Sequence, residues 1–132
     1  IDPTPTERKG LVNSRIGQGK YRRQVIKKWR GQCAVTGCNI QSLLIASHII
    51  PWRDSTDKQR RDVDNGILLS PVYDALFDKY LISFNDNGKI LLSPSFKREE
   101  QKKLNISGLE KIEGLNKKTL EYLKHHRERL EK

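Results

Sequence analysis

The chain has 132 residues, enough for one compact domain, and its 35% hydrophobic and 32% charged residues place a small core under a heavily charged surface. Its 26 Lys and Arg against 16 Asp and Glu leave a net charge of +10, which favours polyanionic partners, nucleic acid foremost, over acidic ones. No stretch approaches the roughly 20 apolar residues a membrane helix requires, and no signal-peptide pattern is visible, so the expectation is a cytoplasmic protein without membrane contact. Residues 1–14, which open with IDPTPTERKG, read as a linker or boundary segment, and residues 15–132 as the folded domain.

From Gly17 to Arg30, Tyr21, Val25 and Trp29 recur at four-residue spacing beside Ile26, the stripe of an amphipathic helix that Gly31 stops. Its other face carries Arg22, Arg23, Lys27 and Lys28. After a Thr36-Gly37 turn, the apolar run SLLIASHII predicts a strand over 43–49, closed by Pro51. Residues 53–64 are polar and without useful periodicity, and read as a long surface loop. Asn65-Gly66 then turns into a short strand, 67–69, and Ser70-Pro71 offers an N-cap with proline at the first helical position. The helix extends to Asp78, with Val72, Ala75 and Leu76 expected on its apolar face and Asp74 and Asp78 together on another. LISF (81–84) and KILLS (89–93), joined through Asn-Asp-Asn-Gly, predict a hairpin. Beyond Pro94 the chain is charged and helical, and Leu120, Leu123 and Leu130 give the last helix its core stripe.

The order strand, loop, strand, helix gathers a chemically suggestive set. His48 ends the first strand, Asn65 opens the second, and Asp74 and Asp78 are neighbours one helical turn apart. Two carboxylates at that spacing repel unless a cation lies near them, and hard oxygen donors suit Mg²⁺ or Mn²⁺ rather than zinc. A neutral imidazole beside such an ion can take a proton from water.

The segments ASHIIPW, DNGILLSPVYDALFD, LISF and KILLS, with the lead-in RIGQGKYRRQVIKKWRGQCAVTG, resemble the HNH (ββα-metal) endonucleases, in particular the branch found in modification-dependent and other bacterial restriction enzymes. The YLKHHRERL tail is similar too. The resemblance implies an α+β fold: a ββα-metal core with an N-terminal amphipathic helix, an extra β-hairpin and C-terminal helices. It implies a metal-dependent DNA endonuclease domain of restriction or defence, using a single divalent cation (Mg²⁺, Mn²⁺ or another) on double-stranded DNA in the bacterial cytoplasm. The domain would be the catalytic part of a longer protein that carries its own recognition domain, and cutting both strands leaves room for a homodimer.

Position by position, His48 matches the general base, Asn65 the central asparagine that braces the loop and holds the histidine's backbone, and Asp74 the metal ligand at the last motif position. Asp78 falls where some relatives place a further ligand. The residue before the base is often an acidic or histidine ligand; here it is Ser47, a weak or water-mediated contact at most. That departure favours an alternative, a basic nucleic-acid-binding module of HNH-like fold that does not cut.

Arg15, Lys20, Arg22, Arg23, Lys27, Arg53, Arg60 and Arg61 are the expected phosphate contacts, which fix register without reading sequence. Cys33 and Cys38 cannot make a four-thiolate site, since Ser70 and Tyr73 stand where a second cysteine pair would fall, which speaks against a structural zinc. They read as reduced, partly buried thiols. His125 and His126 read as surface or packing residues rather than ligands.

Overall fold

A computed structural model describes residues 4–131, with the side chains of 6–16 outside that description. Nine regular elements follow one another: α1 Pro5–Lys28, β1 Ile45–His48, α2 Asp57–Arg61, β2 Gly66–Leu69, α3 Pro71–Asp78, β3 Ile82–Phe84, β4 Ile90–Leu92, α4 Arg98–Lys103 and α5 Lys117–Glu128. The fold is α+β, with two separate two-stranded antiparallel sheets. No described helix is long and apolar enough to cross a membrane.

Helix α1 begins at Pro5, well before the expected Gly17, so residues 5–14 of the expected linker are helical. Proline is tolerated there because a first-turn N–H has no intrahelical partner in any case. The helix ends as its sequence indicates: Arg30 and Gly31 both take left-handed backbone, and the Gly31 N–H returns to the Ile26 carbonyl at 2.8 Å. Tyr21 and Val25 are buried, with Ile26 and Trp29 packed beside them.

β1 and β2 pair with Ala46 opposite Leu68, Ser47 opposite Ile67 and His48 opposite Gly66. Pairing is shorter than the expected 43–49 because β2 has only four residues, emerging from a tight turn at Val63–Asn65. Ile67, Leu68 and Leu69 are fully buried, with α1 and α3 both packed on the sheet. Gly66 is what lets α1 approach: a Cβ there would lie 2.6 Å from the Tyr21 hydroxyl and from a Val25 methyl, and 3.1 Å from the Val63 carbonyl.

Two expectations need correction. The 53–64 segment is not an unstructured loop, since it contains a 3₁₀ turn at Trp52–Asp54 and the helix α2. α2 is nucleated by a capping box in which Thr56 accepts from the Gln59 N–H while the Gln59 side chain accepts from the Thr56 N–H. In α3 the buried side chains are Tyr73, Leu76 and Phe77, whereas Val72 and Ala75 face solvent; the stripe is shifted by one residue because the two aromatics bury more area. Ser70 occupies the N-cap position of α3 but makes no side-chain cap bond.

The last helix buries Thr119, Leu123 and His126, while Leu120 and Leu130 are half-buried. His126 is a packing residue. It stacks on Phe77 with ring centres 3.7 Å apart, its Nε2 lies 2.8 Å from the Phe77 carbonyl, and its Nδ1 lies 2.8 Å from the Ser83 hydroxyl. The carbonyl can only accept, so Nε2 carries the proton and Nδ1 accepts from Ser83. Burial pushes the imidazole pKa down to about 4. The unfolded imidazole protonates near its ordinary value of 6.5 and the folded one near 4, so acid favours the unfolded chain. Stability contributed by neutral His126 is complete above that window and falls by about 3 kcal/mol across it. Urea midpoints measured against pH are expected to drop between pH 6.5 and 4, and His126→Gln, less stable at neutral pH, is expected to flatten most of that slope.

Candidate active site

His48 closes β1, and three neighbours fix its ring. Tyr21 from α1 stacks on it, with centroids 4.2 Å apart and planes 6° from parallel. Trp52 meets it edge-on at 5.7 Å. Its Nε2 lies 2.9 Å from the main-chain carbonyl of Arg60, in α2. A carbonyl only accepts, so Nε2 holds the proton and Nδ1 keeps its lone pair. Burial lowers the His48 pKa below its ordinary 6.5; the Arg60 carbonyl works against that shift and the Arg60 charge with it. The ring is therefore neutral at pH 7, the state required of a proton acceptor.

The loop that supplies the Arg60 carbonyl is itself held by Asn65, which is fully buried. The Asn65 side-chain oxygen accepts from the Ile50 N–H at 2.8 Å, and its amide donates to the Gln59 carbonyl at 3.2 Å, with longer approaches to Ile50 and Ser55. Its own carbonyl accepts from Tyr21 Oη at 2.9 Å and from the Ile49 N–H at 3.0 Å. Asn65 thus grips the backbone at Ile50 and Gln59, on either side of the loop, rather than the backbone of His48.

On the opposite wall stand the carboxylates of α3. Asp74, half-buried, accepts a hydrogen bond from the Ser47 hydroxyl, which ties β1 to α3 across the sheet edge. Asp78, exposed one turn on, lines the same open cleft of about 330 Å³ as Ser47, His48, Arg53 and Asp74. The start of α3 is anchored by a thiol, because the Ser70 N–H donates to Cys33 Sγ at 3.3 Å and the Thr36 N–H does so at 3.5 Å. Burial pushes the Cys33 thiol up, but hydrogen bonds from Thr36 and from the Ser70 backbone more than offset it, leaving the pKa below its ordinary value. Neither cysteine is in a disulfide.

The oxygen donors of Asp74 and Asp78 match what a hard divalent cation takes. Mg²⁺ is commonly held by one or two carboxylates, with water and substrate phosphate completing its shell. Among the described residues no three of His, Cys, Asp and Glu gather into a self-sufficient cage. The set fits an ion shared with substrate rather than one locked into the protein.

The expected phosphate contacts divide. Lys20, Arg23, Lys27, Arg53 and Arg61 are exposed, and Arg53 also lines the carboxylate cleft. Arg22 is spent internally: its guanidinium donates to the Leu44 carbonyl at 2.6 Å and to that of Gln41 at 2.8 Å, bracing the lead-in to β1. Arg60 is likewise committed, with its Nε–H on the Trp52 carbonyl at 2.9 Å. The side chain of Arg15 lies outside the described residues. The sequence reading missed Tyr21 and Trp52 as neighbours of the imidazole. Tyr21 was visible only as a core position, whereas Trp52, four residues past His48 and next to a proline, was there to be questioned.

A strand carrying an imidazole pairs antiparallel with a second strand that leads into a helix carrying carboxylates on the same cleft, a ββα arrangement. Residues 33–85, less than half of the chain, match the family described as HNH endonuclease. No curated protein matches the chain.

Asn65→Ala would leave the Ile50 N–H and the Gln59 carbonyl without their partner in a poorly solvated interior. The expected loss is about 2–4 kcal/mol of folding stability, read from urea unfolding. Destabilisation below 1 kcal/mol would remove Asn65 as the clamp of this loop.

Proposed function

We propose that the chain is the catalytic domain of a DNA endonuclease that hydrolyses phosphodiester bonds with His48 as general base and one divalent cation. The observation that carries this reading is the tautomer of His48: Nε2–H committed to the Arg60 carbonyl leaves Nδ1 as the basic atom of a residue lining the cleft of Asp74 and Asp78. His48 Nδ1 takes a proton from water, the resulting hydroxide attacks phosphorus, and the P–O3′ bond breaks; the departing O3′ takes a proton from solvent and His48 returns its own to solvent, giving 5′-phosphate and 3′-hydroxyl ends. A cation held by Asp74 and Asp78 would supply charge stabilisation at the phosphoryl oxygens and the departing oxygen. Ser47 acts through Asp74, holding one carboxylate oxygen and so aiming the other, in place of the weak or water-mediated metal contact expected of it. Arg53 and the exposed cations of α1 hold the DNA backbone. The restriction-enzyme likeness supports a role in restriction or defence, with target choice made by another part of a longer chain.

A second reading, a binding module that does not cut, is favoured by the same Ser47 hydrogen bond, which occupies one of the few oxygens available to a metal. Plasmid incubated with Mg²⁺, Mn²⁺ or EDTA separates the two, since metal-dependent nicking requires the enzyme. His48→Ala is expected to lower cleavage roughly a hundred- to ten-thousand-fold with DNA affinity nearly unchanged. Equal loss of both in a folded variant would count against the base. Protonation disables the base, so wild-type nicking is expected to fall as the pH drops, with its midpoint below 6.5, because burial holds the folded pKa under that value.

A further inference from the structure

Trp52 does not earn its place by packing. It is 38% exposed, whereas Trp29 is half-buried and donates from its indole N–H to the Gly66 carbonyl at 3.0 Å. Yet Trp52 is held firmly. The Arg60 guanidinium lies over its ring at 4.4 Å from the centroid, and the Arg60 Nε–H fixes its carbonyl at 2.9 Å. Holding a long arginine against an exposed indole costs side-chain entropy, so a rotamer fixed in this way serves something other than the core.

The ring also stands at a particular place. Two open clefts flank it: the carboxylate cleft, and a second of about 350 Å³ lined by Gln18, Tyr21, Arg22 and Ala46. His48 and Trp52 line both, so together they form the ridge between the two. Two cations stand near it: Arg53, exposed, lines the carboxylate cleft, and the Arg60 guanidinium lies over the indole. An exposed aromatic ring stacked by a guanidinium, on a ridge next to a candidate phosphate site, has the composition of a base-stacking platform.

We propose that Trp52, braced by Arg60, stacks on a nucleobase next to the phosphate presented to His48, so that one DNA strand crosses the ridge with its base on the indole. In duplex DNA this requires the base step to open around the ring, as wedge side chains do elsewhere. The inference rests on the nuclease reading for the position of the phosphate, but base stacking can be measured without cleavage.

The test titrates the full chain, in EDTA, with a thymine oligonucleotide and with a mixed-sequence duplex, following tryptophan fluorescence and affinity. Wild type is expected to be quenched, because a stacked base deactivates the indole. Trp52→Leu is expected to lose that quench and to weaken binding roughly tenfold, while Trp52→Tyr restores most of the affinity. Trp29→Phe, which leaves Trp52 the only indole, is expected to keep the quench, and serves should the leucine variant fail to fold. Binding by folded Trp52→Leu within about twofold of wild type, or a flat titration of Trp29→Phe, overturns the proposal. Nicking scored in parallel keeps the two readings apart: a quench without nicking removes the nuclease and leaves the platform, whereas nicking without a quench does the reverse.

Discussion

The interior of a small protein tolerates few polar groups without partners, and the buried amide of Asn65 is where that constraint is met for the whole site. One side chain satisfies the N–H of Ile50 and the carbonyl of Gln59, and its backbone carbonyl receives Tyr21 and Ile49. These bonds fix where the segment after His48 leaves the sheet and where it returns. Between those points lie Trp52 and α2, and with α2 the Arg60 carbonyl that sets the proton on His48. The orientation of the imidazole thus depends, through Gln59 and Arg60, on a residue that lines neither cleft.

A second network ties the same turn to the chain ends. Lys28 of α1 bridges Asp64 at 3.1 Å and donates to Thr119 of α5 at 2.6 Å, Asn116 donates to Asp64 at 2.8 Å, and Lys118 and Tyr122 both reach Asp62. Partial burial strengthens the Lys28–Asp64 and Tyr122–Asp62 bonds relative to exposed ion pairs, and each carboxylate takes more than one donor. In a chain of net charge +10, they spend acidic groups on holding α1 and α5 to the turn beside Asn65. Asp74 and Asp78 are left on the cleft wall, where a cation can be held.

Much of the ββα segment was legible because its signals are local. The Asn-Gly turn, the Ser-Pro helix start and the four-residue interval between Asp74 and Asp78 each report on residues within one turn of one another. What escaped notice was mostly long-range or too short to be periodic. α2 has only five residues, so its apolar spacing says nothing, although Thr56 and Gln59 spell a capping box. Arg22 and Arg60 read as phosphate contacts because their acceptors, the carbonyls of Leu44 and Trp52, cannot be inferred from charge. The apolar face of α3 was misplaced by one position, because Tyr73 and Phe77 outweigh Val72 and Ala75 in the area they remove from water. His126 read as either a surface or a packing residue, and what decides for packing is its contact with Phe77 and Ser83, more than forty positions away.

The close fit at Gly66 reaches beyond local packing. Because the hydrogen atom of that residue admits α1 against the sheet, the Tyr21 ring becomes a wall of the imidazole pocket, although Tyr21 precedes the family match at residue 33. The unit packed around His48 is accordingly wider than the segment that matches the family. A fragment trimmed to 33–85 would keep the imidazole and both cleft carboxylates, yet open one flank of the histidine to water and release the clamps from Lys28 and Thr119.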